Sequence, residues 1–567
     1  MHSKTIHYTS TLKRNFIRLL VWSYCFCLIT NLTNAQDGNT LLGDNAGQNI
    51  TLGDSCTIIG SGAGENITSA KFVVFIGSQT GQSQTSSGDG NIYLGHRAGQ
   101  NYTSGADNIF IGEEAGRNSI GNGDNVFVGT EAGEFNTTGE DNVFIGEEAG
   151  AVNTIGSGNV FVGEDAGLRN TTGTSNTMIG AKVGAFNSTG SFNTFIGGIT
   201  DSNGPYTSSD LTAGEDNVSG KYNTLVGNGA GGKGIAIDGN TMVGYAAGLN
   251  TKLGGENTFV GAFAGWENNR SNEDNAKRNT YLGYTCGLTN REGNDNVGIG
   301  ANADFENTAA NNNLNNRTVF AGANAEVDGN DIVSIGYGST VDANFSIALG
   351  SQAMVDNNHS VAIGPQSSVG PAQSIAIGSG TNATGANAVA IGYQASVEAN
   401  NEIYFGNSAV TSIGGTVNYT ATSDGRFKKN VEENVSGLAF IDRLRPVTYH
   451  FDSRELQEKK GQSPESLEAS FLQKEGNRYT GFIAQEVEQA AQRSGYDFSG
   501  VDTPDSENGI YGLRYSEFNV PLTRAVQELY QKIQERQLLI EEQQREIDTY
   551  ETLFSQLEAK LNQLESK

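Results

Sequence analysis

One spacing constrains this chain more than any other feature. Asn108, Asn125, Asn142, Asn159, Asn176 and Asn193 each open a near-copy of "NVFIGEEAG", and successive copies lie 17 residues apart. The glycine that ends each apolar triplet repeats with them, at Gly112, Gly129, Gly146, Gly163, Gly180 and Gly197. The same unit is recognisable earlier at Gly43, Gly60, Gly77 and Gly95, and later, with insertions, at Gly227, Gly244, Gly261, Gly283, Gly300 and Gly322. The period then shortens. Gly336, Gly350, Gly364, Gly378, Gly392 and Gly406 are 14 apart and close the units "VSIG", "IALG", "VAIG", "IAIG", "VAIG" and "IYFG".

A unit this short cannot enclose a core, but stacked coils of parallel β-structure can. The three- and four-residue apolar spacing of a helix is absent. Alternation along a strand separates two faces. Ile109, Ile111, Val126, Val128, Val143 and Ile145 are expected to point into the coil. Phe110, Phe127, Phe144, Phe161 and Phe195 are then expected on the other face, buried against further copies of the chain, because soluble monomers rarely carry so large an apolar patch. Ala348, Ala362, Ala376 and Ala390 take the phenylalanine position in the 14-residue units and would allow closer approach. The asparagine column fits stacked amide ladders and has a structural role rather than a glycosylation one. Acidic residues in the turns read as solvated groups in preference to Ca²⁺ ligands. Neither a metal site nor a cofactor is expected.

The 14-residue units, with "SVAIG" among them, resemble the head repeats of YadA-like trimeric autotransporter adhesins. The resemblance is close over 331–410 and looser over 38–330. It implies a left-handed parallel β-roll whose three protomers pack side by side. About two dozen coils would make a rod on the order of 100 Å long.

The N-terminus has the form of an export signal. Lys13, Arg14 and Arg18 precede the apolar "LLVWSYCFCLIT", and "TNA" ends at Ala35 with small residues suited to cleavage. The apolar run is shorter than the ~20 residues a spanning helix needs, and no other segment reads as a membrane span. Cys25 and Cys27 leave with the signal. Cys56 and Cys286 remain, too far apart in sequence to suggest a disulfide framework or zinc site, and read as small buried residues. A net charge of −28 argues against nucleic acid as a partner.

From Ser423 the composition changes. "LAFIDRLRPVTYHF" and "YTGFIAQEVEQAA" read as strand and helix pieces of a packed α/β unit, and the polar stretch 453–477 as a loop or insertion. Phe482, Ile483 and Val487 are expected in its core, with Gln485 and Glu486 as structural hydrogen-bonders. The end of the chain carries a sustained heptad. Its a positions are Val526, Ile533, Ile540, Ile547, Phe554 and Leu561; its d positions are Leu529, Arg536, Gln543, Tyr550, Leu557 and Leu564. Isoleucine at a suits a dimer or a trimer, and the trimer implied by the repeats decides for three.

The motifs "SDGRFKKNV", "LRPVTYHF", "GFIAQEVE" and "YSEFNVPLTRAVQEL", in that order before a coiled coil, resemble the intramolecular chaperone domain of endosialidases and phage tail spikes. A membrane-tethered family of transcription factors carries the same domain. The resemblance covers about 421–530. It implies a domain that trimerises, assists assembly of a β-rich fibre, and cuts itself off with a Ser–Lys dyad. Carried over, Ser423 is the nucleophile, Lys428 the general base, and Thr422–Ser423 the scissile bond. The chemistry is sound: a serine hydroxyl needs a base, and lysine can be one only when neutral, a state favoured by burial and by cations such as Arg426 and Lys429. Backbone amides near Gly425 or Gly481 are the candidate oxyanion donors.

The expected layout is therefore a signal peptide at 1–35, 17-residue repeats over 36–330 and 14-residue repeats over 331–410. A connector at 411–422, a chaperone domain at 423–521 and a coiled coil at 522–567 follow. The fold is mainly β, a solenoid trimer, then a small α/β domain ending in a trimeric coiled coil. The expected product is an exported homotrimeric fibre, extracellular or on the cell surface, with a host or surface ligand as a candidate partner for the rod. Two alternatives stand beside it: an uncleaved trimerisation cap, and a tail-spike-like enzyme acting on polysaccharide.

Overall fold

A computed structural model describes residues 38–566, apart from 86–87, 122, 199–211, 270–274, 307–314, 460–466 and 505–508. The expected signal segment 1–35 lies outside the described residues. The chain divides into two units, Met1–Gly406 and Asn407–Lys567.

The first unit is a parallel β-solenoid. Its apolar triplets, from Thr40–Leu42 to Ile403–Phe405, stack into one 22-stranded sheet. Each residue pairs with its counterpart one repeat later: Val126 with Val143, Phe127 with Phe144, Val128 with Ile145. The ladder runs through the change of period without a break, Phe320 pairing with Ser334. From Asp304–Phe305 a second, seven-stranded parallel sheet accompanies it to Ser396–Val397. The shorter coil thus has two small strands per turn, with Val341, Val355 and Val369 as well as Ala348, Ala362 and Ala376 all buried.

The two faces are the reverse of the sequence expectation. Phe110, Phe127, Phe144, Phe161 and Phe195 are fully buried within a single chain, and the Ile and Val residues on either side of them face outward, partly exposed. In a triplet the central side chain is the one that points inward, and a 17-residue coil is wide enough to hold a phenyl ring there. The rings stack face to face, 4.8 Å apart for Phe110 and Phe127 and 4.9 Å for Phe127 and Phe144. This is the spacing of adjacent strands. The alanines of the 14-residue units occupy the same inward position; they fit a narrower coil and do not mark a closer approach of protomers.

Two glycine columns make this packing possible. Gly133 lies against the Phe127 ring, where a Cβ would sit 2.6 Å from Cε2. Gly129 ends its strand at φ +146°, and a Cβ there would lie 2.1 Å from the Gly146 carbonyl oxygen of the next coil. Neither place accepts a side chain.

The asparagine ladders are present. The Asn125 backbone N–H and side-chain amide both donate to Asn108 Oδ1, at 3.1 and 3.2 Å, and Asn142 repeats this on Asn125. A second buried ladder joins Asn136, Asn153, Asn170 and Asn187. These amides satisfy coil-corner carbonyls that would otherwise be orphaned inside, as Asn153 does for Gly156. Asn136, Asn170 and Asn187 match Asn-x-Ser/Thr but are fully buried, which accords with a structural role. Cys56 and Cys286 are buried and unpaired.

The second unit is small and mixed. The strand Val447–His450 pairs antiparallel with Arg478–Gly481. The helix Ala484–Arg493 packs Val487, Ala490 and Ala491 against Phe440, Phe498 and Phe518. Phe482 lines this core, whereas Ile483 is exposed, because the chain turns into the helix at that residue. The stretch 453–477 is not a loop: it holds the helices Ser453–Lys459 and Glu468–Glu475, with Gln457 and Phe471 buried and Arg454 paired to Glu468. Its few apolar residues were too sparse to read as a periodic face. The unit ends in one 47-residue helix, Asn519–Glu565, about 70 Å long at 1.5 Å per residue.

Candidate active site

Ser423 and Lys428 are brought together by a single tight turn. Five residues of extended chain would separate their Cα atoms by about 17 Å. Instead Gly425–Phe427 form a 3₁₀ turn, in which the Phe427 N–H donates to the Asp424 carbonyl and the Lys428 N–H to the Gly425 carbonyl. Asp424 caps the turn, its side chain accepting the Arg426 N–H at 2.9 Å. The Lys428 Nζ then lies 2.8 Å from Ser423 Oγ.

Both dyad residues are exposed in the single chain. In this contact the Lys428 Nζ donates to the hydroxyl; a general base must accept from it. Arg426 does not supply the cation expected to favour a neutral lysine. Its guanidinium is paired with Asp424, Nε at 2.9 Å and Nη2 at 2.6 Å from Oδ2, and it holds that carboxyl below its ordinary range. Apolar neighbours along the segment are also uncovered: Tyr419 is 88 % exposed and Phe427 75 %.

The other motifs hold the domain together. Arg445 of "LRPVTYHF" makes a two-pronged pair with Glu486 of "GFIAQEVE", at 3.0 and 2.5 Å. Gln485 faces solvent. Gly481 is engaged in the strand pair with Val447, and the Tyr515 hydroxyl accepts the Phe482 N–H beside it at 3.0 Å. That arrangement gives Gly481 a structural reason that proximity to a motif did not supply. Glu528 of the terminal helix accepts the Leu438 N–H at 2.8 Å, across Gly437. A Cβ at Gly437 would lie 2.8 Å from the Ala525 nitrogen. Sequence reading passed over Asp424 and Glu528; the Asp before a Gly-containing turn was the one available signal.

Residues 423–496 match the family model of the chaperone of endosialidase. The match begins at Ser423 itself and takes in Lys428, Arg445, Gly481 and Glu486. Residues 333–353, 356–381 and 383–401 match the YadA head domain repeat, a feature of surface adhesins. No curated protein matches the chain. The terminal helix lies beyond the matched segments. Along it Val526, Leu529, Ile533, Ile540, Ile547, Phe554, Leu557, Leu561 and Leu564 are all exposed in the single chain. Among the described residues no helix is long and apolar enough to cross a membrane. Among the described residues, the ligand oxygens of three carboxylates, Glu306, Asp328 and Asp342, come within 4.8 Å of one another.

Proposed function

We propose that the chain is an exported homotrimeric surface fibre whose C-terminal domain assembles it and then cuts itself off before Ser423. The observation that carries this reading is the 2.8 Å contact of Lys428 Nζ with Ser423 Oγ, at the first residue of the endosialidase-chaperone match. Neutral Lys428 takes the proton of Ser423 Oγ, which attacks the Thr422 carbonyl carbon. The peptide C–N bond breaks as the Ser423 nitrogen receives the proton from Lys428. Water then hydrolyses the resulting ester, leaving the Thr422 carboxylate, the Ser423 hydroxyl and a free amine.

Trimerisation is the step that would ready the dyad. Two uncovered surfaces support it: the heptad face of the terminal helix, and the outward Ile and Val stripe of the solenoid. Packing three chains along the helix would bury the apolar residues around Ser423 and strip water from Lys428, which favours the neutral amine. Long-range β pairing is slow and prone to aggregation. A chaperone that aligns three chains and then leaves would convert an assembled rod into a kinetic trap. The exposure of the dyad in one chain also fits a second reading, an uncleaved trimerisation cap.

Intact-mass measurement on the exported protein separates the two. The expected result is a C-terminal fragment beginning at Ser423, absent in Ser423→Ala and Lys428→Ala. Lys428→Arg is also expected to stay uncut, since guanidinium remains charged. A wild-type chain that is never cut leaves the cap and removes the peptidase. Cutting that persists in Ser423→Ala assigns it to an outside protease.

A further inference from the structure

The turn that joins the dyad carries a charged pair that takes no part in the bond changes. We propose that Asp424 and Arg426 are positioning residues for the self-cleavage proposed above, and the inference rests on that reading. Asp424 closes the turn: its carboxylate accepts the Arg426 N–H at 2.9 Å, the bond that fixes the start of Gly425–Phe427. Without it, only the two backbone bonds of the turn, Phe427 N–H to the Asp424 carbonyl and Lys428 N–H to the Gly425 carbonyl, hold Lys428 back toward Ser423, and the placement loosens. Misplacement of a catalytic group by an ångström costs on the order of 10²-fold in rate.

The cap brings a problem with it. A carboxylate is fixed on the residue that follows the nucleophile, and an anion left unneutralised there would favour an ammonium over an amine close by. Arg426 answers this, both Nε and Nη2 bonding the same Oδ2. The other charged groups along the segment are Lys429, Glu432 and Glu433. Glu432 accepts from the Asn434 side-chain amide at 2.9 Å. Arg426 therefore acts on the dyad through Asp424, as a shield, and not as a cation aimed at Lys428.

Cell-free synthesis of the full chain between pH 6 and pH 9, with cutting followed on gels and trimer mass checked by light scattering, tests this. Arg426→Gln is expected to cut about tenfold more slowly at neutral pH, with the midpoint of its pH profile about one pH unit higher. Asp424→Asn combined with Arg426→Gln is expected to cut near the parent rate and midpoint, because Asn still caps and leaves no charge to shield. Asp424→Ala is expected to be slow at every pH while remaining trimeric. The proposal is overturned if trimeric Arg426→Gln keeps the parent rate and midpoint, or if the double variant is as slow as Arg426→Gln. A parent that is never cut, or a Ser423→Ala chain cut at the parent rate, removes the underlying dyad instead and is recognised without the Arg426 variants.

Discussion

Phe127 and Val128 are adjacent, both apolar, and on opposite sides of the same wall. The ring is enclosed and the valine looks outward. What settles the choice is the glycine six residues on, which leaves room for the ring. Gly133→Ala would drive a Cβ to 2.6 Å from Phe127 Cε2, at a residue with φ +59°. Its expected cost is about 1–3 kcal/mol, seen as a lower urea midpoint for loss of β signal. Asp304 carries a different kind of tension. It is partly buried, with its carboxyl accepting the Thr289 N–H at 3.0 Å. Burial first, and then the nearby Glu326 charge, raise that carboxyl from 3.8 to about 7. In the folded state the charged form is the disfavoured one. Stability is therefore highest below the unfolded value and declines as the pH rises from about 4 to about 7. Thermal melts at pH 5 and pH 8 are expected to show the solenoid less stable at pH 8, and Asp304→Asn to narrow that difference.

The terminal helix contains two kinds of residue. Near its start Ala525 is buried, and Glu528 reaches the Leu438 N–H. Beyond that, its apolar side chains have nothing to cover them in their own chain: Ile540 is 57 % exposed and Phe554 71 %. Past those first turns, a helix so exposed is not stabilised by packing within its own unit. The heptad predicts partners in register, three by the proposed reading. Ile540→Asp would place a charge in that apolar seam, at the cost of desolvating it. Light scattering is expected to give a mass below three chains, and gels a smaller cut fraction. A fully cut, trimeric Ile540→Asp chain would show that the seam does not govern the dyad.

At the scale of the whole solenoid, the proposed contact between copies falls on a stripe of outward Ile and Leu. Leu94, Ile145, Ile179, Leu282, Ile299 and Ile335 lie at the same strand position and are between 39 % and 46 % exposed. They run through coils of both periods, as an interface along the solenoid would require. The phenylalanine column is internal and cannot serve. The two faces separate in experiment. Ile145→Asp is expected to leave β signal intact while reducing the assembled mass. Phe127→Asp is expected to destroy the coil itself, since an unpaired charge would replace a ring at the centre of the stack. If Ile145→Asp trimerises as the parent does, the stripe is not the interface.

Periodicity by itself determined the parallel solenoid. Repeats at 17 and then 14 residues point to stacked coils that bury one triplet per unit, and the recurring asparagines and glycines mark the corners that such stacking needs. The long terminal helix and the nearness of Ser423 to Lys428 were likewise legible, because each follows from a local pattern. Which face is inside was not. Alternation is symmetric between its two faces, and the width of a closed coil, which decides whether a phenyl ring fits, arises only when the turn is complete. The helices in 453–477 were hidden for a related reason: Gln457 and Phe471 are buried without an apolar stripe along their own helices, Gln457 bonding Ser408, which is distant in sequence. The electrostatics of the dyad also waited for tertiary structure. "SDGRFKK" places three cations near a serine, but only the folded turn commits the Arg426 charge to Asp424, because a guanidinium goes to the carboxylate that the backbone has already fixed within its reach.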